Sequence, residues 1–185
     1  GGFSYGDYLR AGAIARFSPI MQAVIDFARK GGLVWGICNG FQVLCEAHLL
    51  PGALLRNEKQ KFVGKDVHIK TVSHRSPITQ GVEKAVLRMP VSHAEGRFYA
   101  DAATLQQLED NEQVLFRYCG PDGSLSEEAN PNGSLKHIAG ICNTERNVFG
   151  MMPHPERAAE KLLGNDDGRL LFESLLEYSR STPVG

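Results

Sequence analysis

Apolar residues in this chain recur first with a helical period, then in short runs, then alternately. Ile20, Val24, Phe27 and Ala28 fall at helical spacing. Ser18-Pro19 before them supplies a capping side chain and a proline for the first helical position, and Gly31-Gly32 after them stops the helix. Residues 33–35 (Leu-Val-Trp) form a short continuous apolar strand. A second helical pattern starts within three residues, with Phe41, Leu44, Cys45 and His48 on one face and Pro51-Gly52 closing it. A continuous apolar strand between two helices predicts a parallel α/β sheet. Farther on, Val67, Ile69 and Thr71 alternate with Asp66, His68 and Lys70, so residues 62–72 read as a half-exposed strand. Residues 85–91 and 113–119 are further strands, and 101–109 is a short helix. The Pro- and Gly-rich stretch 120–136 is a loop over a hairpin, and 137–142 and 147–152 are a hairpin-like pair. Residues 167–178, with Leu171, Leu175 and Tyr178 on one face, make a terminal helix.

The junction inside residues 33–44, LVWGICNGFQVL, carries the chemistry. A buried strand, a sharp turn with one reactive residue and a helix compose a nucleophile elbow, and Gly36 and Gly40 flank Cys38 at two residues on either side. In so tight a turn a side chain at either flank is expected to collide. Cys38 then stands at a helix N-terminus, where the dipole and free N–H groups favour a thiolate. Alone, the stretch also fits a buried structural cysteine beside an ordinary strand-helix turn.

A nucleophile needs a base. Among six histidines, His154 follows the apolar run 148–152 and sits in Pro153-His154-Pro155-Glu156-Arg157. In an extended segment residues two apart face the same side, so Glu156 is placed to hold the His154 ring in its productive tautomer. The N–H of Asn39 is one natural oxyanion donor and Gly1-Gly2 a source of the other. A phosphate-loop reading of residues 1–6 lacks both G-x-G-x-x-G and a Walker lysine. The polar stretch 90–98, PVSHAEGRF, offers Glu95 to an ammonium and Ser92 or main-chain groups to a carboxylate. His93 and Glu95 as metal ligands lack a third ligand at sensible spacing.

Composition narrows the setting. The chain has 185 residues, 42% hydrophobic and 22% charged, with a formal net charge of −1, which suits one domain with a sizeable core. It gives no basic footprint for nucleic acid and no polybasic membrane anchor. No apolar run approaches a membrane span, and no signal-peptide pattern opens the chain. Four scattered cysteines (Cys38, Cys45, Cys119, Cys142) without a CxxC pair argue against a disulfide framework or a zinc site, and for a reduced, cytoplasmic setting.

GICNGFQ, PVSHAEGRF, NPNGS and MMPHPER together resemble the class I (triad-type) glutamine amidotransferases. With GGFSYGDYLRAGAIAR and LPGALLRNE they are similar to the small glutaminase subunits of phosphoribosylformylglycinamidine synthases, over essentially the whole chain. The resemblance implies one domain over 1–185 with a three-layer, mostly parallel flavodoxin-like α/β sheet that has an antiparallel portion. It implies Cys38 as nucleophile toward L-glutamine, His154 as base and then acid, Glu156 as its orienter, Gln42 as a glutamine-holding residue, and Gly2 and Asn39 as oxyanion donors. No cofactor is implied in this chain. ATP and magnesium belong to a large synthetase partner that takes the ammonia, and a small subunit bridges the two. Against the family pattern, a strand, helix and strand of about 40 residues is expected to be lacking ahead of GGFSYGD, leaving sheet edges unpaired. The competing readings are another cysteine-triad amidase or peptidase of the same fold, and a docking subunit without catalysis.

Overall fold

A computed structural model of the protein describes residues 10–181. Helix α1 (Pro19–Arg29) precedes strand β1 (Val34–Ile37), which runs straight into α2 (Asn39–Glu46). Strands β2 (Ala53–Leu55), β3 (Val63–Thr71), β4 (Val86–His93) and β5 (Arg97–Tyr99) follow, then α3 (Ala102–Asp110), β6 (Val114–Cys119), β7 (Ile138–Cys142), β8 (Val148–Met151) and α4 (Arg169–Ser181).

Six strands form one mixed sheet in the order β1-β8-β7-β6-β3-β4, and β2 and β5 pair separately. Helices cover both faces. On one, Leu171 of α4 and Ala158 pack with Ile69, Met89, Leu115, Phe116 and Phe149. On the other, Phe41 and Leu44 of α2 and Leu108 of α3 pack with Val114, Ile141 and Val148. The three-layer α/β arrangement is the expected one. The balance of strand directions is not: among the described strands only β1 and β8 run parallel, and the other four pairings of this sheet are antiparallel. Strands β6, β7 and β8 are buried at every position, so they read as continuous apolar runs because both faces are covered, whatever their direction. By contrast β4 alternates, with Leu87, Met89, Val91 and His93 buried and Arg88 exposed.

Three local expectations need correction. Ser18 does not cap α1 with its side chain; its hydroxyl donates backward to the Ala15 carbonyl at 2.7 Å. Helix α1 buries Met21 and Ala28, while Ile20 and Phe27 are 68% and 53% exposed, so the helix meets the sheet on a narrower stripe than its apolar spacing suggests. The Phe27 ring instead lies over the Gly31-Gly32 turn, where a Cβ on Gly32 would fall 2.3 Å from it. Helix α2 ends at Glu46, before Pro51-Gly52, because His48 takes the left-handed conformation (φ 57°) that turns the chain out of the helix.

Register then places the site. Gly36 pairs with Gly150 and Ile37 with Met151 in the parallel β1–β8 ladder, so Cys38 and the segment leading to His154 leave the sheet at the same end. The Cys38 N–H donates to the Met151 carbonyl at 2.8 Å. The sheet curls until the far strand β4 reaches this corner, where the Pro90 carbonyl accepts from His154 N–H at 2.9 Å. Among the described residues β1 has a partner strand on one side only.

Candidate active site

Cys38 links β1 to α2 with φ 53° and ψ −106°, a conformation costing a non-glycine residue about 1–3 kcal/mol. Gly36 makes the turn possible. A Cβ there would stand 2.7 Å from the Gly40 carbonyl carbon and oxygen and 2.5 Å from Leu44 Cδ1. Gly40 is different: among the described residues a Cβ on it meets nothing within 4 Å, because it points away from the strand. Only one of the two flanking glycines is therefore required by a described contact.

The thiol is buried, 5% exposed, and donates to the Ser92 carbonyl at 3.7 Å. Burial pushes its pKa above the ordinary thiol value, while the Asn39 N–H and the Arg157 charge pull it down by less. The expected pull of the helix N-terminus toward a thiolate is present, but burial outweighs it. The resting sulfur keeps its proton, and reaction requires a base.

His154 is placed to be that base. Its Nδ1 lies 2.6 Å from Glu156 Oε1, and the ring is 1% exposed. A carboxylate only accepts, so Nδ1 carries the proton and Nε2 presents a lone pair; Nε2 is buried with no hydrogen-bond partner among the described residues. Strand alternation does not bring Glu156 to the ring. His154 is extended, but Pro155–Ala158 is a single 3-10 turn with the proline at its first position, and the turn folds Glu156 back. Gly168 packs against that turn so closely that a Cβ would sit 2.2 Å from the Pro155 carbonyl oxygen. Burial works against the Glu156 carboxylate, yet the His154 hydrogen bond and charge hold it below the usual carboxylate range.

The family model for the CobB/CobQ-like glutamine amidotransferase domain matches residues 1–169. The chain belongs to this family. It is 61% identical over 179 residues to phosphoribosylformylglycinamidine synthase subunit PurQ of Salinibacter ruber, and equally so to that of Moorella thermoacetica; each match covers 96% of this chain and 76% of the relative. The solved structure of PurLQS from Thermotoga maritima superposes with a TM-score of 0.83 at 42% identity, over 96% of this chain and 76% of that one.

In this amidotransferase the remaining sequence candidates divide. Gln42 comes to the corner, accepting from Asn39 Nδ2 at 3.0 Å and donating to the Glu95 carbonyl at 2.5 Å. The Asn39 N–H reaches the Cys38 sulfur. Ser92 faces the thiol with its main-chain carbonyl. The Glu95 carboxylate accepts from Ala11 N–H at 3.2 Å, so it secures a neighbouring loop. Gly2 lies outside the described residues. Among the described residues no group of three or more His, Cys, Asp or Glu side chains is placed to hold a metal ion, and no helix is long and apolar enough to cross a membrane. Cys45 is buried on α2 with its thiol directed at the Pro51 carbonyl, as its helical face suggests.

Sequence reasoning passed over the role of His93. Its Nδ1 faces Asn57 Oδ1 at 3.2 Å, its Nε2 is buried without a partner among the described residues, and burial, followed by the charge of His154, lowers its pKa to about 4. The unfolded chain takes up this proton near pH 6.5 and the folded protein only near pH 4. A histidine depressed in the folded state adds stability above pH 6.5 that fades as the pH falls toward 4, here about 3 kcal/mol in all. Urea denaturation of wild type and His93→Asn at pH 7.5 and pH 4.5 is expected to show wild type losing about 2–3 kcal/mol relative to the variant. A pH-independent difference contradicts this.

Proposed function

We propose that the protein is the glutaminase subunit of a phosphoribosylformylglycinamidine synthase, hydrolysing L-glutamine to glutamate and ammonia at Cys38, His154 and Glu156. The observation that carries this reading is the Glu156–His154 pair, whose Nε2, without a hydrogen-bond partner among the described residues, stands at the sheet end where Cys38 sits on a strained turn. The Cys38 thiol swings from the Ser92 carbonyl to His154 Nε2, which takes its proton as the sulfur attacks the glutamine amide carbon. The Asn39 N–H receives the developing oxyanion, and Gly2, outside the described residues, is assigned as the second donor on the resemblance. Protonated His154 gives its proton to the departing nitrogen, so ammonia leaves and a γ-glutamyl thioester remains. Water, activated by the same Nε2, then attacks the thioester and releases glutamate with the thiol restored. Glu156 steadies the imidazolium that forms in each half-reaction. Gln42 contributes to holding the glutamine; Ser92 and Glu95 contribute through their carbonyls.

Residues 1–185 act as one amidotransferase domain without a cofactor of its own. The ammonia passes to a large synthetase subunit, which supplies ATP and magnesium and converts formylglycinamide ribonucleotide to the amidine, with a small subunit bridging the two in the cytoplasm. The relatives' names and the PurLQS structure support this assignment.

A diazoketone analogue of glutamine tests the site. Intact-mass and peptide mapping are expected to find one equivalent on Cys38 and protection by excess glutamine. Cys45, Cys119 and Cys142 are buried, and burial raises each thiol, the last to about 11, so they are expected to stay unlabelled. Labelling at any of these, or no protection by glutamine, refutes the assignment.

A further inference from the structure

The main chain from Ser92 to Gly96 forms one wall of the site. The Ser92 carbonyl takes the Cys38 thiol, and the Glu95 carbonyl takes the Gln42 amide. Carbonyls in a turn point where their peptide planes are held, so something must hold these planes. Behind the turn lies Asn57, 1% exposed, near the start of the loop that follows β2.

All four hydrogen-bonding positions of the Asn57 amide are occupied. Its Nδ2 donates to the His93 carbonyl at 2.9 Å and to the Lys61 carbonyl at 2.8 Å. Its Oδ1 accepts from Gly96 N–H at 3.0 Å and from His93 Nδ1 at 3.2 Å. The Asn57 N–H donates to the Ala94 carbonyl at 2.8 Å. Four of these five contacts fall on residues 93, 94 and 96, the frame on which the two site-facing carbonyls hang. A second asparagine braces the frame from another side, with Asn132 Nδ2 donating to the Gly96 carbonyl at 2.8 Å.

We propose that Asn57 is a positioning residue of the glutaminase site, holding the 93–96 turn so that the Ser92 and Glu95 carbonyls meet the Cys38 thiol and the Gln42 amide. It touches neither the thiol nor Gln42 and acts through the turn. His93 belongs to the same device: its Nδ1–H donates to Asn57, and its ring packs on Gly96, where a Cβ would fall 2.4 Å from it. A buried asparagine with every position paired is costly to replace, because its partners lose their bonds out of reach of water.

The proposal rests on the glutaminase reading for its kinetic arm, so the experiment on the full chain has a second arm that does not need glutamine. In Asn57→Ala, KM for glutamine is expected to rise at least tenfold, more than kcat falls, because Gln42 loses a fixed acceptor. The pH midpoint for alkylation of Cys38 by iodoacetamide is expected to move down, because the Ser92 carbonyl no longer favours the protonated thiol. Among the described residues the other ionisable groups facing the thiol are Glu156, paired with His154, and Arg157 of the turn after β8, with Tyr118 of β6, and none of these bonds Asn57; the ring of His93 on β4 loses its Asn57 acceptor.

Where Asn57→Ala does not fold, His93→Leu and His93→Asn carry the test. The first removes the Nδ1–H donor to Asn57, and the second keeps an amide N–H there, so KM is expected to rise in the first and return toward wild type in the second. Wild-type KM and alkylation midpoint in Asn57→Ala, with only a lower melting temperature, overturn the proposal, as do equal kinetics for the two His93 variants. Absence of ammonia release by wild type sinks the glutaminase reading instead, and the alkylation midpoint still decides the role of Asn57.

Discussion

Replacing Cys38 with alanine is expected to lower ammonia release from glutamine by at least about 10³-fold, because no other group in the site can form the thioester. The three other cysteines are buried away from it, with thiols raised by burial, so none substitutes. The same position gives a second reading. Cys38 holds φ 53°, which glycine adopts without strain, so Cys38→Gly is expected to be inactive yet more stable than Cys38→Ala by about 1–2 kcal/mol. Ammonia assays and thermal melts of the two variants check both halves. Residual turnover within tenfold of wild type would place the nucleophile elsewhere, and equal melting temperatures would mean that the turn stores no strain.

That opposition of activity and stability was legible in the sequence only in part. The strand–Gly–x–Cys–x–Gly–helix order announces the elbow, since each feature is local. The alternation of Val67 and Ile69 with Asp66 and His68 likewise marks a strand with one covered face. The hairpin-like reading of 137–142 and 147–152 is met by the antiparallel β7 and β8, but the balance of directions across the whole sheet was not legible, because burial on both faces of β6 to β8 erases the alternation by which antiparallel strands are recognised. That burial outweighs the helix N-terminus at Cys38 was not legible for a related reason. Burial of the sulfur depends on what packs over it, and spacing carries no trace of that. His154 and Glu156 were found through the right residues and the wrong geometry, a 3-10 turn in place of an extended segment. Asn57 left no local signal of this role, since its bonds to the turn reach residues 36 to 39 positions away.

Gly36 ties fold to chemistry more tightly than any residue of the site. The β1–α2 angle at the elbow depends on the Gly36 and Gly40 main chains lying in contact, and a Cβ on Gly36 would stand 2.7 Å from Gly40 carbon and oxygen. Backbone on both sides cannot rotate aside as a flexible side chain does. Gly36→Ala must push α2 away from β1, where Gly36 also pairs with Gly150. Overpacking of this kind costs about 2–3 kcal/mol, a fall of about 5–10 °C in melting temperature for a chain of this size. The activity is expected to fall further than stability suggests. Cys38, the Asn39 N–H and Gln42 ride on the displaced segment while His154 is held by the Pro90 carbonyl and by Glu156, so nucleophile and base separate. A misplacement approaching 1 Å is worth about 10²-fold in rate. Assayed well below its melting temperature, Gly36→Ala is therefore expected to be folded and about a hundredfold slower. A variant that melts with wild type and turns over at the wild-type rate would show that the elbow has slack the contacts do not reveal.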